Sequence, residues 1–353
     1  MKTKTRFLSA AVLLVLTALL LLTGRFAPAF FARWYPGFSQ TVLGAIGAVT
    51  GEFPLPLWEL GVGLLALWAI VSLLRSLKKH RFWRWLAGLV WAGSFLLFAF
   101  VTFWGAGHLL PTKAEQIVSI QPVSVRDLTA AAEYFAAKLD SLAPKMLRDE
   151  QGRVQMADFP HLSEEAEDCY DELAEQYACI PEADMTAKKL WFGDLFGYLG
   201  YTGIFVPVTA EPTVSPHTYP ASLPFTVCHE MGHRVGACAE EDANFLAFLA
   251  CLESEDPQFL YSAYYSAFIY CYNALHKAAP QTAEGVFLSM GDEAKREVAQ
   301  ASGHYKPYEG KIQDAAEKFN DTYLKAAGQE AGTASYGLVS DALVAWYLKN
   351  AEN

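Results

Sequence analysis

His229, Glu230 and His233 form the pattern in this 353-residue chain whose residue types and spacing imply chemistry: H-E-x-x-H, within Cys228-His229-Glu230-Met231-Gly232-His233. On a helix, residues four apart lie one turn above each other on the same face. The two imidazoles would then sit side by side, spaced to hold one tetrahedral zinc ion. Glu230 is one step round the helix, out of reach of the metal but able to serve as general base toward water bound there. A catalytic zinc site needs three protein ligands and a water. Gly236 follows His233 by three residues, where a helix can end and reverse through a conformation that glycine adopts at little cost. A new helix is expected from about Ala239, with Glu240, Glu241 and Asp242 suited to its first turn. Glu240 and Asn244 are four apart and share a face. Glu240 is therefore expected as third ligand, and Asn244 as the acceptor that orients a ligand histidine. Glu241 and Asp242 are rotated about 100° and 200° away on an ideal helix and are expected to be solvated. The rival reading is a chance helix with two histidines on a wet face, since the bare motif arises by accident in roughly one such chain in a hundred.

The elements that present this motif divide by charge. Residues 1–110 carry ten Lys/Arg and two Asp/Glu, a net of +8, and the remainder nets −19 of the chain's −11. A basic apolar part and an acidic polar part argue against nucleic acid as a partner.

The chain is expected to hold a membrane domain over 1–110 and a globular domain over 111–353. Phe7 to Thr23 is an apolar run behind Lys2, Lys4 and Arg6. It reads as a retained anchor rather than a cleaved signal peptide, because no small-x-small cleavage site is evident and further apolar segments follow. Spans are expected at about 7–23, 55–74 and 85–109. Residues 24–54, with Trp34 and Tyr35, read as an outer loop with an interfacial helix. Arg75, Lys78, Lys79, Arg81 and Arg84 crowd the second loop. Positive charge stays on the cytoplasmic side, which puts the N-terminus inside and everything after about residue 110 outside. The lipid bilayer is thus one expected partner.

In the globular part, helical periodicity predicts helices near Ser124–Ser141, Ser163–Tyr177, Lys188–Phe196, Pro257–His276, Asp292–Ala301, Lys311–Ala327 and Ser340–Lys349. Residues 202–208 are the clearest strand, which Pro207 requires to lie at a sheet edge or to end there. Such an edge can hold a peptide as an added strand. Glu211 to Pro224, with four prolines, reads as a loop. All six cysteines fall after residue 110. Cys228 and Cys238 bracket the motif, and both a bridge between them and free buried thiols are open readings.

The order H-E-x-x-H-x-x-G … E-x-x-A-N-F-x-A, from His229 to Ala247, with Phe225-Thr226-Val227-Cys228 before it and Ser335-Tyr336-Gly337 near the end, resembles a family of bacterial membrane proteins known as domain of unknown function 3810. That family is grouped with gluzincin-type zinc metallopeptidases. The resemblance covers the whole chain. It implies a multi-pass membrane protein of the bacterial cytoplasmic membrane, with three transmembrane helices and a mainly α-helical, α+β zincin-like extracytoplasmic domain. It also implies Zn2+ as cofactor, a peptide or protein substrate, and Tyr336 as the donor to the oxyanion. Hydrolysis of peptide bonds is the expected activity. The alternative is a zinc-binding sensor or binding protein of the membrane surface without turnover.

Overall fold

Apolar runs of more than twenty residues must satisfy their backbone internally wherever water is absent, which favours helices. The chain follows this from its first residues. In the computed structural model, which describes residues 2–326 and 336–351, 75% of the protein is helical and the sheet is small. Two units separate: Met1–Leu110 with Val206–Glu211, and Pro111–Phe205 with Pro212–Asn353.

The first unit contains α1 (Thr3–Phe26), α2 (Pro28–Thr50), α3 (Leu57–Lys78) and α4 (Phe82–Phe103). Among the described residues, α1, α3 and α4 are long and apolar enough to cross a membrane. The segment read from sequence as a loop with an interfacial helix is instead one helix, α2, through most of its length. Pro36 did not stop it, and two of its aromatic residues face inward: Phe31 and Tyr35 are buried and stacked at 4.5 Å. The Tyr35 hydroxyl donates to the Val101 carbonyl of α4. At the start of α3, Pro56 offers no side-chain cap. The buried Glu211 carboxylate supplies it, accepting from Leu57 N at 2.8 Å and Trp58 N at 2.9 Å. A carboxylate there satisfies orphan N–H groups and meets the positive end of the helix.

The second unit begins with α5 (Lys113–Ile117), α6 (Val125–Leu142) and α7 (Phe159–Gln176). Leu128, Ala131, Ala132, Phe135 and Leu139 form the buried stripe of α6. The helix expected from Ser163 starts earlier, because Asp158 caps it and Pro160 fits its first turn. Next come β1 (Lys188–Lys189), α8 (Gly193–Leu199), β2 (Gly203–Val206) and β3 (Glu211–Val214), in sheet order β1-β3-β2. The helix expected over 188–196 is therefore displaced. Lys188 and Lys189 pair in parallel with Thr213 and Val214, a contact no local pattern reveals. Part of the expected loop 211–224 is the central strand β3, which accommodates Pro212 next to those paired residues.

Then follow α9 (Leu223–Arg234), α10 (Glu240–Glu253), α11 (Pro257–Ala278), α12 (Pro280–Ser289), α13 (Asp292–Tyr305), α14 (Lys311–Ala326) and α15 (Tyr336–Ala351). α9 lies in the core against α7, α10 and α11, while α6 packs along α11 and α15. Phe135, Phe248 and Trp346 close this core with edge-on and stacked ring contacts, each worth about 0.5–1.5 kcal/mol beyond area burial.

One buried charge needs its partners. Glu297 is fully buried and takes Arg148 Nη1 at 2.7 Å, the Tyr261 hydroxyl at 3.0 Å and the Tyr219 hydroxyl. Removing it strands a guanidinium and two hydroxyls. Glu297→Ala should cost about 3–5 kcal/mol in urea unfolding of the second unit. A loss below about 1 kcal/mol would show that the network contributes little.

Candidate metal centre

Polar side chains inside a core must be partnered, so the interior position of α9 constrains its histidines. His233 and Glu230 are 6% and 4% exposed, and the His229 side chain is 14% exposed. This is no wet face. Pro224 sits in the first turn of α9, and the Ser262 hydroxyl accepts from Phe225 N at 3.0 Å, which fixes the start of the helix.

The far end sets the chemistry. Gly236 adopts φ 97°, in the region that favours glycine. Ala237 N donates to Gly232 O, and Gly236 N to His233 O. This is the paired bonding of a Schellman turn. The chain reverses and α10 begins at Glu240. The Ala237 carbonyl, exposed by the turn, accepts from His233 Nδ1 at 2.6 Å. With its proton on Nδ1, the neutral His233 ring carries its lone pair on Nε2. His229 Nδ1 donates to Asn244 Oδ1 at 2.9 Å, and the Tyr270 hydroxyl donates to the same oxygen at 2.8 Å. Asn244 is one turn beyond Glu240 on α10, so one helix carries both the carboxylate and the group that orients a ring.

With both Nδ1 atoms committed, both Nε2 atoms face Glu240. The distances are 3.4 Å from His229 to Oε2 and 3.6 Å from His233 to Oε1. The two rings lie 4.7 Å apart and nearly perpendicular. One ligand atom from each of His229, His233 and Glu240 falls within 4.8 Å of the others. Two imidazole nitrogens and one carboxylate oxygen are the donor set of catalytic zinc sites.

Electrostatics follow from this crowding. Burial works against charge on Glu240, but the two imidazoles outweigh it and hold the carboxyl well below its ordinary value. Burial alone would lower His233, yet the facing Glu240 carboxylate, with Glu230 and the Ala237 carbonyl, holds it up at about 9. Burial pushes Glu230 up to about 7, with His229 and His233 pulling the other way. Glu230 Oε2 is buried with no hydrogen-bond partner. An orphaned carboxylate oxygen beside two imidazole nitrogens and a carboxylate fits a site built around a cation and a water.

Gly203, first residue of β2, lies against this glutamate: a Cβ there would come 2.7 Å from Glu230 Cδ. Sequence reasoning missed Gly203, although an isolated glycine opening a strand signals close approach. It also missed Tyr270 and the Ala237 carbonyl, for which no local signal exists.

The expected solvation of Asp242 and Glu241 is corrected, and of the two cysteine readings the structure has unbridged thiols. Asp242 is buried rather than solvated, because the opposite face of α10 meets α5 and not water. Its carboxylate accepts from Lys113 N at 2.9 Å and Ala114 N at 2.8 Å. Glu241 is half-buried. Cys228 does not face Cys238. Its Sγ lies 3.5 Å from that of Cys251 in the core, and none of the six cysteines is in a disulfide. Tyr336 opens α15, and its side chain lies outside the described residues.

Asn244→Ala should weaken zinc binding by about 10–100-fold in chelator competition, by releasing the His229 ring. Unchanged affinity would mean that the ring needs no such support.

The family model described as "Protein of unknown function (DUF3810)" matches residues 31–344. No curated protein and no solved structure matches the chain. The match runs from α2 through the candidate metal centre into α15, over most of the sequence, and the chain belongs to the DUF3810 family.

Proposed function

We propose that this protein is a membrane-anchored zinc metallopeptidase with a zincin-like outer domain, hydrolysing peptide bonds outside a bacterial cytoplasmic membrane. One observation carries the reading: His229, His233 and Glu240 converge beside a buried carboxylate oxygen of Glu230 that has no partner. The basic turn between α3 and α4 supports an orientation with the N-terminus inside and residues after about 110 outside.

His229 Nε2, His233 Nε2 and a Glu240 oxygen would hold the ion. Bound there, zinc acidifies water and polarises a carbonyl. Glu230 Oε2 accepts the proton of the attacking water and returns it to the departing amine. Asn244 and the Ala237 carbonyl keep both rings in the tautomer that presents Nε2. β2 is an edge strand that starts at Gly203, against Glu230. An extended substrate paired along it would run beside the general base.

The full chain, purified with zinc, should cleave an unfolded protein. Glu230→Gln should keep stoichiometric zinc and lose about 10²–10⁴-fold in cleavage. Glu240→Ala should lose zinc and cleavage together. Full zinc and activity in Glu240→Ala would refute the third ligand, and a zinc-loaded wild type that cleaves nothing would favour the sensor. Gly203→Val should displace the Glu230 carboxyl, so that zinc stays and cleavage falls. Cleavage at the wild-type rate would remove the strand from the mechanism.

A further inference from the structure

A second site lies in the helical N-terminal unit. At the end of α1, α3 and α4 away from Glu59 is a cavity of about 260 Å³. Its lining includes Arg6, Arg75, Lys79, Arg81 and Arg84, the indoles of Trp68 and Trp85, and no carboxylate. None of these five cations has a carboxylate partner among the described residues. The acidic residues of 1–110 are Glu52 and Glu59. Glu59 is about 24 Å from Arg75 along α3 at 1.5 Å per residue.

Three features make this more than a run of surface charge. Ser76 lines the cavity, is only 8% exposed, and its buried Oγ has no hydrogen-bond partner. A buried hydroxyl without a bond is uncommon, and one that lines a basic cavity points to a missing acceptor. Arg81, Arg84 and Trp85 come from the N-cap and first turn of α4, which has no side-chain cap, so free N–H groups and the positive end of a 22-residue helix lie at the same place. Gly88 keeps space open: a Cβ there would lie 3.1 Å from Arg6 Nη1. The Arg6 guanidinium is itself held in place by donating to the Arg84 carbonyl at 3.2 Å.

The walls beyond the charges identify the ligand class. Trp68, which is exposed, and Trp85 line the cavity beside the cations, and both stand on helices long and apolar enough to cross a membrane. A free phosphate would use the cations and leave this surface uncovered. A phospholipid would use both, with its phosphodiester among the cations and its acyl chains along the helices. Basic pockets between membrane helices recognise anionic headgroups in this way. We propose that this cavity binds the phosphodiester headgroup of an anionic phospholipid, with Arg6, Arg75, Lys79 and Arg84 as charge partners and Ser76 Oγ as a donor.

Native mass spectrometry of the full chain in detergent tests this, with added phosphatidylglycerol, acyl-matched phosphatidylcholine, or inorganic phosphate. Phosphatidylglycerol should be retained at about tenfold lower concentration than phosphatidylcholine. Arg75→Gln with Lys79→Gln should reduce that preference about tenfold. Gly88→Val, which crowds the cavity and removes no charge, should reduce it as much. Arg75 and Lys79 are exposed, so the charge variant remains informative should Gly88→Val misfold. Equal retention of the two lipids, a preference unchanged in the charge variant or in a folded Gly88→Val protein, or binding of inorganic phosphate without lipid would each overturn the proposal.

Discussion

The reversal between α9 and α10 is the constraint on which the site depends. A helix by itself can present two histidines, but it cannot bring a carboxylate to face them without turning back. Gly236 in its left-handed conformation makes that turn within a few residues. The turn also exposes the Ala237 carbonyl to His233 Nδ1. One backbone feature thus places Glu240 opposite both rings and selects the tautomer of one of them. The other ring is set by Asn244, a helical turn past Glu240 on the same α10 face. Ligand position and ligand orientation are therefore both consequences of where α10 begins.

A cluster of this kind is costly in a core. Two imidazoles and the Glu230 carboxylate sit where water is largely excluded, facing the partly exposed Glu240, and isolated charge there is strongly disfavoured. The scaffold meets the cost by pairing: each Nδ1 has an acceptor, and each Nε2 faces Glu240. Glu230 alone keeps an oxygen unpaired. Functional sites are where such exceptions are expected. The close approach of β2 at Gly203 fixes this carboxyl on one side, so the least satisfied group in the cluster is also held in place by the sheet edge.

Legibility followed the range of the interactions. H-E-x-x-H, the glycine after it and the E-x-x-x-N spacing are local, and helical geometry alone brings these residues onto facing surfaces. Three long apolar helices were equally plain. Asp242 was misread because a helical wheel gives directions and not neighbours: the face it occupies meets α5. β1 and β3 were missed because their pairing joins residues some 25 apart, and Pro212 discounted the strand. The extent of α2 was hidden by aromatic residues that suit a membrane interface and a helix core alike. Cys228 shows the same limit: spacing left a bridge to Cys238 and free thiols equally open, and only the fold turns its thiol toward Cys251.

X-ray absorption at the zinc edge of the full chain reads the central feature directly. Two imidazole nitrogens near 2.0–2.1 Å with oxygen donors at about 2.0–2.2 Å, and no sulfur, are predicted. A sulfur shell near 2.3 Å, drawn from the six cysteines, or a zinc shell without imidazole, would contradict a centre built on His229, His233 and Glu240.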